Sequence, residues 1–370
     1  MSSCGCACRT PRPANRLYLD YRAEARRLGA PPVPIIDAHT HINGERAAVI
    51  YAEVRELFGV TETWSQTQFP QAKAIKNVLG DSIHFVAVPD YMSQDPGHAH
   101  GQGYLDRITE WHEAFGVRML KFWCAPRGRD YAREVGNDPL TLTLESPWRR
   151  KQMDHAAKLG FMFMAHIADP DTWFQTKYAD ASIYGTKASQ YTALEKLADE
   201  YDVPWLIAHM GGWPEDLSFL TGLLERHANL ILDTSATKWM VRELSKHPRT
   251  ELLTFLHRFR GRILFGSDIV TMDAHLSSDT GPRAMGVQAS SQDEAFELYA
   301  SRYWALRTLF ETDYVGESPI ADPDLHLVAP DRYTDMDAPP LAGKALPKDE
   351  LVALYRQATL DTLHRWHGLH

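Results

Sequence analysis

The sequence predicts an α/β chain folded as a (β/α)8 TIM barrel, with an N-terminal extension and a helical C-terminal tail. Three observations lead there. Eight short apolar runs recur along the 370 residues, and stretches with helical spacing separate them. The runs are apolar throughout rather than alternating, which suits parallel strands buried on both faces. No glycine-rich dinucleotide fingerprint follows the first run, which counts against an open doubly wound sheet, the main alternative.

Residues 1–32 read as a flexible extension with one short helix, expected over Tyr18–Leu28, and residues 33–370 as a single barrel domain including the tail. The expected strands are Pro34–Asp37, Val60–Trp64, Ile83–Val88, Val117–Phe122, Gly160–Ala165, Pro204–Ala208, Asn229–Leu232 and Arg262–Phe265. Between them, Gln102–Phe115 repeats Leu105, Ile108, Trp111, His112 and Phe115 at helical spacing. Pro147–Leu159 and Thr192–Tyr201 behave alike, and Leu217–His227 follows a Pro-Glu-Asp helix start. Past the eighth run, Asp293–Phe310 is an aromatic-rich helix, the Pro- and Asp-rich stretch from Glu317 to Pro347 reads as loop, and Lys348–Trp366 has a helical period. The tail is placed to cover one barrel end or to reach a neighbouring subunit, so a homodimer is left open.

With 44% hydrophobic residues the chain can bury a sizeable core. Its net charge of −9, with no basic block, speaks against nucleic acid and anionic membrane surfaces as partners. No apolar leader and no stretch near the ~20 apolar residues of a membrane helix occurs, so a cytoplasmic protein is expected. Four cysteines do not make a disulfide framework. Three of them, Cys4, Cys6 and Cys8, lack a nearby fourth ligand and read as part of a flexible terminus rather than a metal site.

The chemistry begins at Asp37-Ala38-His39-Thr40-His41, directly after the first apolar run. A strand places residues two apart on one side, so both imidazoles point the same way, an arrangement suited to a divalent metal. Lys121 stands at the end of run four, His166 at the end of run five, His209 at the end of run six, and Asp268 just past run eight. A barrel gathers strand C-termini on one rim, where active sites are built. His39, His41, His166 and Asp268 then offer three imidazoles and a carboxylate to one catalytic metal, zinc first, with manganese or iron as alternatives. Each residue alone has an ordinary reading as a hydrogen-bonded rim group or helix cap; the joint pattern is what points to a metal.

These motifs, together with Ala208-His209-Met-Gly-Gly212, Leu232-Asp-Thr-Ser235 and Leu309-Phe-Glu-Thr-Asp313, resemble the amidohydrolase superfamily. More narrowly, they resemble the amidohydrolase-related branch that includes aminocarboxymuconate-semialdehyde decarboxylase. The resemblance implies His39, His41, His166 and Asp268 as metal ligands and His209 as a catalytic, non-ligand histidine that orients water or donates to a developing oxyanion. Asp268 would carry the water's proton to the leaving group, and Asp37 would support a ligand from behind. In binuclear members a lysine at the place of Lys121 is carbamylated; the context Met119-Leu-Lys121-Phe-Trp looks more like the mononuclear branch, where it contacts an anionic substrate group. Trp123, Trp173, Trp213 and Trp239, with Arg127, Arg129 and Arg242 near in sequence, would suit an apolar wall and a cation for a small carboxylate; the ordinary reading is that the tryptophans fill barrel–helix packing and the arginines are solvated. Of these, Lys121, Trp123, Arg127 and Trp173 are the candidate substrate contacts. The expected activity is hydrolysis of an ester, lactone or amide. Non-oxidative decarboxylation of an aromatic or muconate-like acid is the alternative, and a non-catalytic ligand-binding barrel a distant third. Decarboxylating relatives often carry glutamate in place of His39, which leans the expectation to hydrolysis.

Overall fold

The computed structural model describes residues 11–278 and 288–369, so the Cys4, Cys6, Cys8 cluster lies outside the described residues. The first helix is Tyr21–Leu28, shorter than the expected span. Tyr18 sits at φ 54°, and Asp20 is an extended N-cap whose carboxylate accepts from the Arg22 and Ala23 amides.

All eight expected strands form: β1 Ile35–Ile42, β2 Val60–Ser65, β3 Ile83–Phe85, β4 Met119–Trp123, β5 Met162–His166, β6 Trp205–Ile207, β7 Leu230–Asp233 and β8 Ile263–Leu264. A ninth, β9 Ile269–Thr271, follows. They pair in parallel as β3-β2-β1-β9 and β4-β5-β6-β7-β8. Backbone hydrogen bonds join the two sheets at both seams. At one seam Ala87 donates to Met119 O at 2.8 Å and Lys121 donates to Ala87 O at 2.9 Å; at the other, Ala38 donates to Phe265 O and Asp268 to His39 O, both at 2.8 Å. The parallel sheet therefore runs round into a TIM barrel, with helices outside it.

Two departures from regular strands shape the rim. The register of β1 against β2 shifts between Asp37 and Thr40. Such a bulge changes the phase of side-chain alternation. Ile36 and Ala38 pack into the barrel interior, while Asp37 reaches Tyr303 in the helix layer at 2.9 Å. The eighth stave breaks at Gly266-Ser267-Asp268 and resumes as β9 beside Thr40–Ile42. A Cβ on Gly266 would lie 3.0 Å from His39 Cβ and 3.2 Å from Ser235 Cβ, so only glycine lets this break close on its neighbours.

The interior is filled by Ile36, Ala38, Trp64, Val86, Met119, Met162, Met164, Leu206, Ile231 and Leu264. The tail closes its foot. Ala358 and Leu363 join that interior cluster, with Leu360, Trp366 and Leu369 packed against it. The Trp366 indole N–H donates to Gly160 O at 3.0 Å, and the Phe265 amide donates to Leu354 O at 3.0 Å. The tail is helical as expected, but Ala353–Gln357 and Leu360–His364 wind as wide π turns. The helix Gln292–Glu311, two residues longer than expected, lies almost wholly buried against the barrel's flank. Within the stretch expected as loop, Val315–Glu317 pairs with Pro340–Ala342 as an antiparallel ribbon. Among the described residues no helix is long and apolar enough to cross a membrane.

Candidate active site

His39 and His41 reach the barrel mouth from β1 and Asp268 from the break after β8. One ligand atom from each lies within 4.8 Å of the others. His41 Nε2 is 3.1 Å from Asp268 Oδ1, and His39 Nε2 is 3.5 Å from the same oxygen. His39 is fully buried, and its Nε2 has no hydrogen-bond partner. Its other nitrogen, Nδ1, stands 2.9 Å from Asp233 Oδ2 on β7. An ionised carboxylate can only accept, so Nδ1 carries the proton and Nε2 turns a lone pair toward His41 and Asp268. A partnerless lone pair in a buried site is costly unless something binds it. The donor set thus fits a divalent metal, held from behind by a carboxylate as ligating histidines commonly are.

Charge follows the same logic. Burial pushes the Asp268 carboxyl up, but its His41 hydrogen bond and the nearby His39 and His209 outweigh this and hold it well below the carboxylate range. Asp233 is likewise penalised by burial, and more than compensated by His39, His209 and Ser235. Burial and Lys121 push His39 down, and burial and His166 push His209 down, so both imidazoles are neutral near neutral pH.

His209 follows β6 in the left-handed conformation, φ 61° and ψ 50°. Met210, Ala236 and Asp268 also have positive φ, so four of the described non-glycine residues in this costly region stand at the rim. At Gly212, φ is 79° and a Cβ would fall 2.4 Å from Ala168 O, so the turn after His209 packs tightly on the segment after β5. The His209 amide donates to Asp233 Oδ1 at 2.9 Å. The Ser235 hydroxyl donates to that carboxylate and stands 2.7 Å from His209 Nδ1. Its one proton being committed to Asp233, Ser235 accepts from His209 Nδ1–H. Neutral His209 then presents a lone pair at Nε2, which makes it an acceptor rather than the oxyanion donor that was one of its two expected roles.

The other candidates fall as follows. His166 stands edge-on to His209, ring centroids 4.4 Å apart, with Nε2 3.0 Å from Asp169 Oδ1; it is beside the His39, His41, Asp268 cluster rather than in it. Lys121, Trp123 and Trp173 line a cavity of about 630 Å³ over the cluster, together with Lys238, Trp239, Tyr299 and Arg302. Burial pushes Lys121 down to about 8, against the pull of Asp233 and Asp268. Burial pushes Arg302 down to about 10. Arg127 does not line this cavity; it pairs with Glu134 at 3.0 Å. Arg242 is buried against Glu243, Asp322 and Asp324, Arg129 binds Ile183 O, and Trp213 stacks on Tyr191. Asp37 accepts from Ser267 Oγ at 2.5 Å and from the His39 amide at 3.1 Å, pinning the β8 break to β1.

Sequence reasoning missed Asp233, Ser235, Lys238 and Arg302. The first two lie inside Leu232-Asp-Thr-Ser235, where a polar triplet ending an apolar strand was the available signal. Arg302 comes from a helix after the barrel, and nothing in its spacing marks the face it takes.

A family model described as "Amidohydrolase" matches residues 36–357. No curated protein sequence matches the chain significantly. Among solved structures, the chain is similar to a probable 2-pyrone-4,6-dicarboxylic acid hydrolase from Acinetobacter baumannii with citric acid bound, at 12% identity and TM-score 0.41 over 80% of this chain and 99% of that one. It is similar to a 2,6-dihydroxybenzoate decarboxylase at 12% identity and TM-score 0.39, over 91% and 99%. A 5-carboxyvanillate decarboxylase from Novosphingobium aromaticivorans with bound manganese gives 10% identity and TM-score 0.37, over 92% and 98%. Likenesses this distant bear on neither substrate nor mechanism.

Proposed function

The chain belongs to the amidohydrolase family of enzymes, and from that premise we propose that it is a metal-dependent hydrolase of an ester, lactone or amide bond in a small carboxylate-bearing molecule. The observation that carries this reading is the partnerless Nε2 of His39, buried beside His41 Nε2 and Asp268 Oδ1. Those three residues would hold the ion, with His166 as the fourth ligand from the adjoining rim. Zinc suits a mixed imidazole and carboxylate set best, with manganese or iron next. When bound, the ion supplies Lewis acidity that polarises the scissile carbonyl and makes water acidic enough to attack near neutral pH.

The chain's own groups handle the protons and the substrate. His209 Nε2 accepts a hydrogen bond from the attacking water and orients it. Asp268, ionised and at the same place, takes the water's proton and returns it to the leaving group. Lys121 and Arg302 attract the substrate carboxylate, the guanidinium offering paired N–H donors. Trp123, Trp173 and Trp239 supply apolar walls that exclude bulk water. Hydrolysis fits these groups better than decarboxylation. Both His209 and Asp268 stand in the accepting form that deprotonating an attacking water uses, a step that hydrolysis needs and decarboxylation does not.

The test is a panel of carboxylate-bearing lactones, esters and amides assayed beside aromatic acids, on enzyme loaded separately with zinc, manganese and iron. Metal-dependent ring opening or bond cleavage, lost in Asp268→Asn by ~10²–10⁴-fold as expected for a proton-transferring group, supports the proposal. Carbon dioxide release without hydrolysis, or full activity in Asp268→Asn, overturns it.

A further inference from the structure

A second group of metal-type donors lies at the opposite end of the barrel from the mouth. Glu62 on β2, His84 on β3 and His364 in the tail bring one ligand atom each within 4.8 Å of the others. His84 Nε2 is 3.1 Å from Glu62 Oε1, and His364 Nε2 contacts that same oxygen. The three side chains are 21%, 16% and 13% exposed, so they meet in a sheltered recess rather than on open surface. The two imidazoles approach with ring centroids 5.7 Å apart at 65°.

The surroundings hold this geometry. Trp64, one of the residues filling the barrel interior, stacks on His84 at 4.7 Å and 26° and meets His364 edge-on. Register places Glu62 opposite Ile36 and His84 opposite Trp64, so Glu62 and His84 each lie near the start of their own stave. A fourth imidazole, His367, lies edge-on to Trp64 at 4.5 Å. Its Nδ1 is 2.8 Å from Leu363 O, which assigns the proton there, and its Nε2 is buried with no partner. His367 and His84 both line a cavity of about 120 Å³. Two imidazoles and one carboxylate are donors that four-coordinate zinc accepts, with a fourth position to be filled from beside them.

We propose that Glu62, His84 and His364 form a second divalent-metal site, structural in role, that clamps the tail to the foot of the barrel. The fourth position falls to His367 or to water. The ligands come from three elements, two staves and the segment that seals the interior, so binding would tie the seal to the sheet. Glu62, His84, His364 and His367 are not among the described residues that line the mouth cavity, which fits the general division of a barrel into a reactive rim and a stabilising foot.

Metal content separates this site from the one at the mouth. Chains incubated with zinc, desalted and measured by elemental analysis should carry two equivalents in the wild type. His84→Asn and His364→Asn should each carry one and keep their catalytic activity, while His41→Asn should lose the other. A second readout is thermal: stripping with a chelator should lower the melting temperature of the wild type and of His41→Asn, and should lower that of His84→Asn, which holds only the mouth ion, by less than the wild type. Two variants on different elements guard against one that misfolds. The proposal is overturned if the wild type holds one equivalent that His41→Asn loses and His84→Asn keeps, or if the second equivalent washes off on desalting. If His84→Asn loses metal and His41→Asn does not, the foot site stands and the mouth assignment falls.

Discussion

Asp233→Asn is the substitution that most sharply tests how the mouth is built. Asp233 is wholly buried and spends both oxygens on the site. Oδ1 accepts from the amides of His209 and Ser235 at 2.9 and 3.0 Å, and Oδ2 stands 2.9 Å from His39 Nδ1. An asparagine keeps its carbonyl oxygen on the two amides and so turns its NH2 toward His39. That group donates, so His39 must accept at Nδ1 and move its proton to Nε2, the atom that faces His41 and Asp268. His39 is then unable to ligate. Losing a carboxylate behind a metal-bound histidine typically costs 10–100-fold in metal affinity, about 1.4–2.7 kcal/mol. Exchanging the charged hydrogen bond for a neutral one costs a further ~1.5–3 kcal/mol of folding stability at most. The assay is competition of zinc between the protein and a chromophoric chelator, with circular dichroism to verify folding. Ser235→Ala is the control. It keeps the carboxylate on His39 while removing one donor to Asp233 Oδ1 and the acceptor of His209 Nδ1, so metal affinity should fall by less than the ~10-fold lower bound for losing a partner behind a ligand while turnover falls. A folded Asp233→Asn with wild-type zinc affinity would refute the tautomer argument.

Three further outcomes follow from the same geometry. Arg302→Ala should raise KM for a carboxylate substrate ~10–100-fold, the worth of a charged hydrogen bond, with a smaller change in kcat, as steady-state kinetics would read; an unchanged KM removes Arg302 from the substrate site. Lys121, with its folded pKa lowered to about 8 from the ordinary 10.5, sheds its proton first in the folded state. Its burial therefore costs most below pH 8, and stability rises between about pH 8 and 10.5 by up to ~3 kcal/mol. Urea melts across that range should show the rise in the wild type and lose it in Lys121→Met. Leu363→Ala, at a fully buried position in the interior cluster, should cost ~2–5 kcal/mol, read as a lower denaturant midpoint at unchanged slope.

The staves were legible because each is a short apolar run bounded by polar or glycine residues. Their rims were less so. β1 continues to Ile42, past its expected end at Asp37, because polar Thr40 and His41 find partners in Ser65 and in β9 rather than in solvent. β9 itself, three residues long and directly following a left-handed Asp268, is too short to announce a strand. His39, His41 and Asp268 were readable as a group because a barrel brings stave ends together whatever lies between them. His166, read into the same group, stands on the adjoining rim with its imidazole against Asp169 and His209, because the angle of an imidazole about its own stave is set by packing. Cations were the hardest part. Arg127, close in sequence to a rim strand, is occupied by Glu134, whereas Arg302, thirty-four residues past Asp268, lines the cavity. Long side chains find partners by three-dimensional proximity, which linear spacing does not encode.

The seal at the foot sets an order of events in synthesis. Ala358 and Leu363 complete an interior otherwise built from staves that begin at Ile35 and end at Leu264. A ribosome releases all eight staves before the residues that stopper them have been made. Until then the interior, with Met119, Met162 and Trp64 exposed at its open end, is an apolar well accessible to water and to other nascent chains. Completion of the barrel is thus a late, long-range step, joining residues more than 300 positions apart in sequence, such as Ile36 and Leu363. A chain halted before Lys348 would present that well permanently, which makes the tail a checkpoint for which products of translation stay dispersed and which are captured by chaperones.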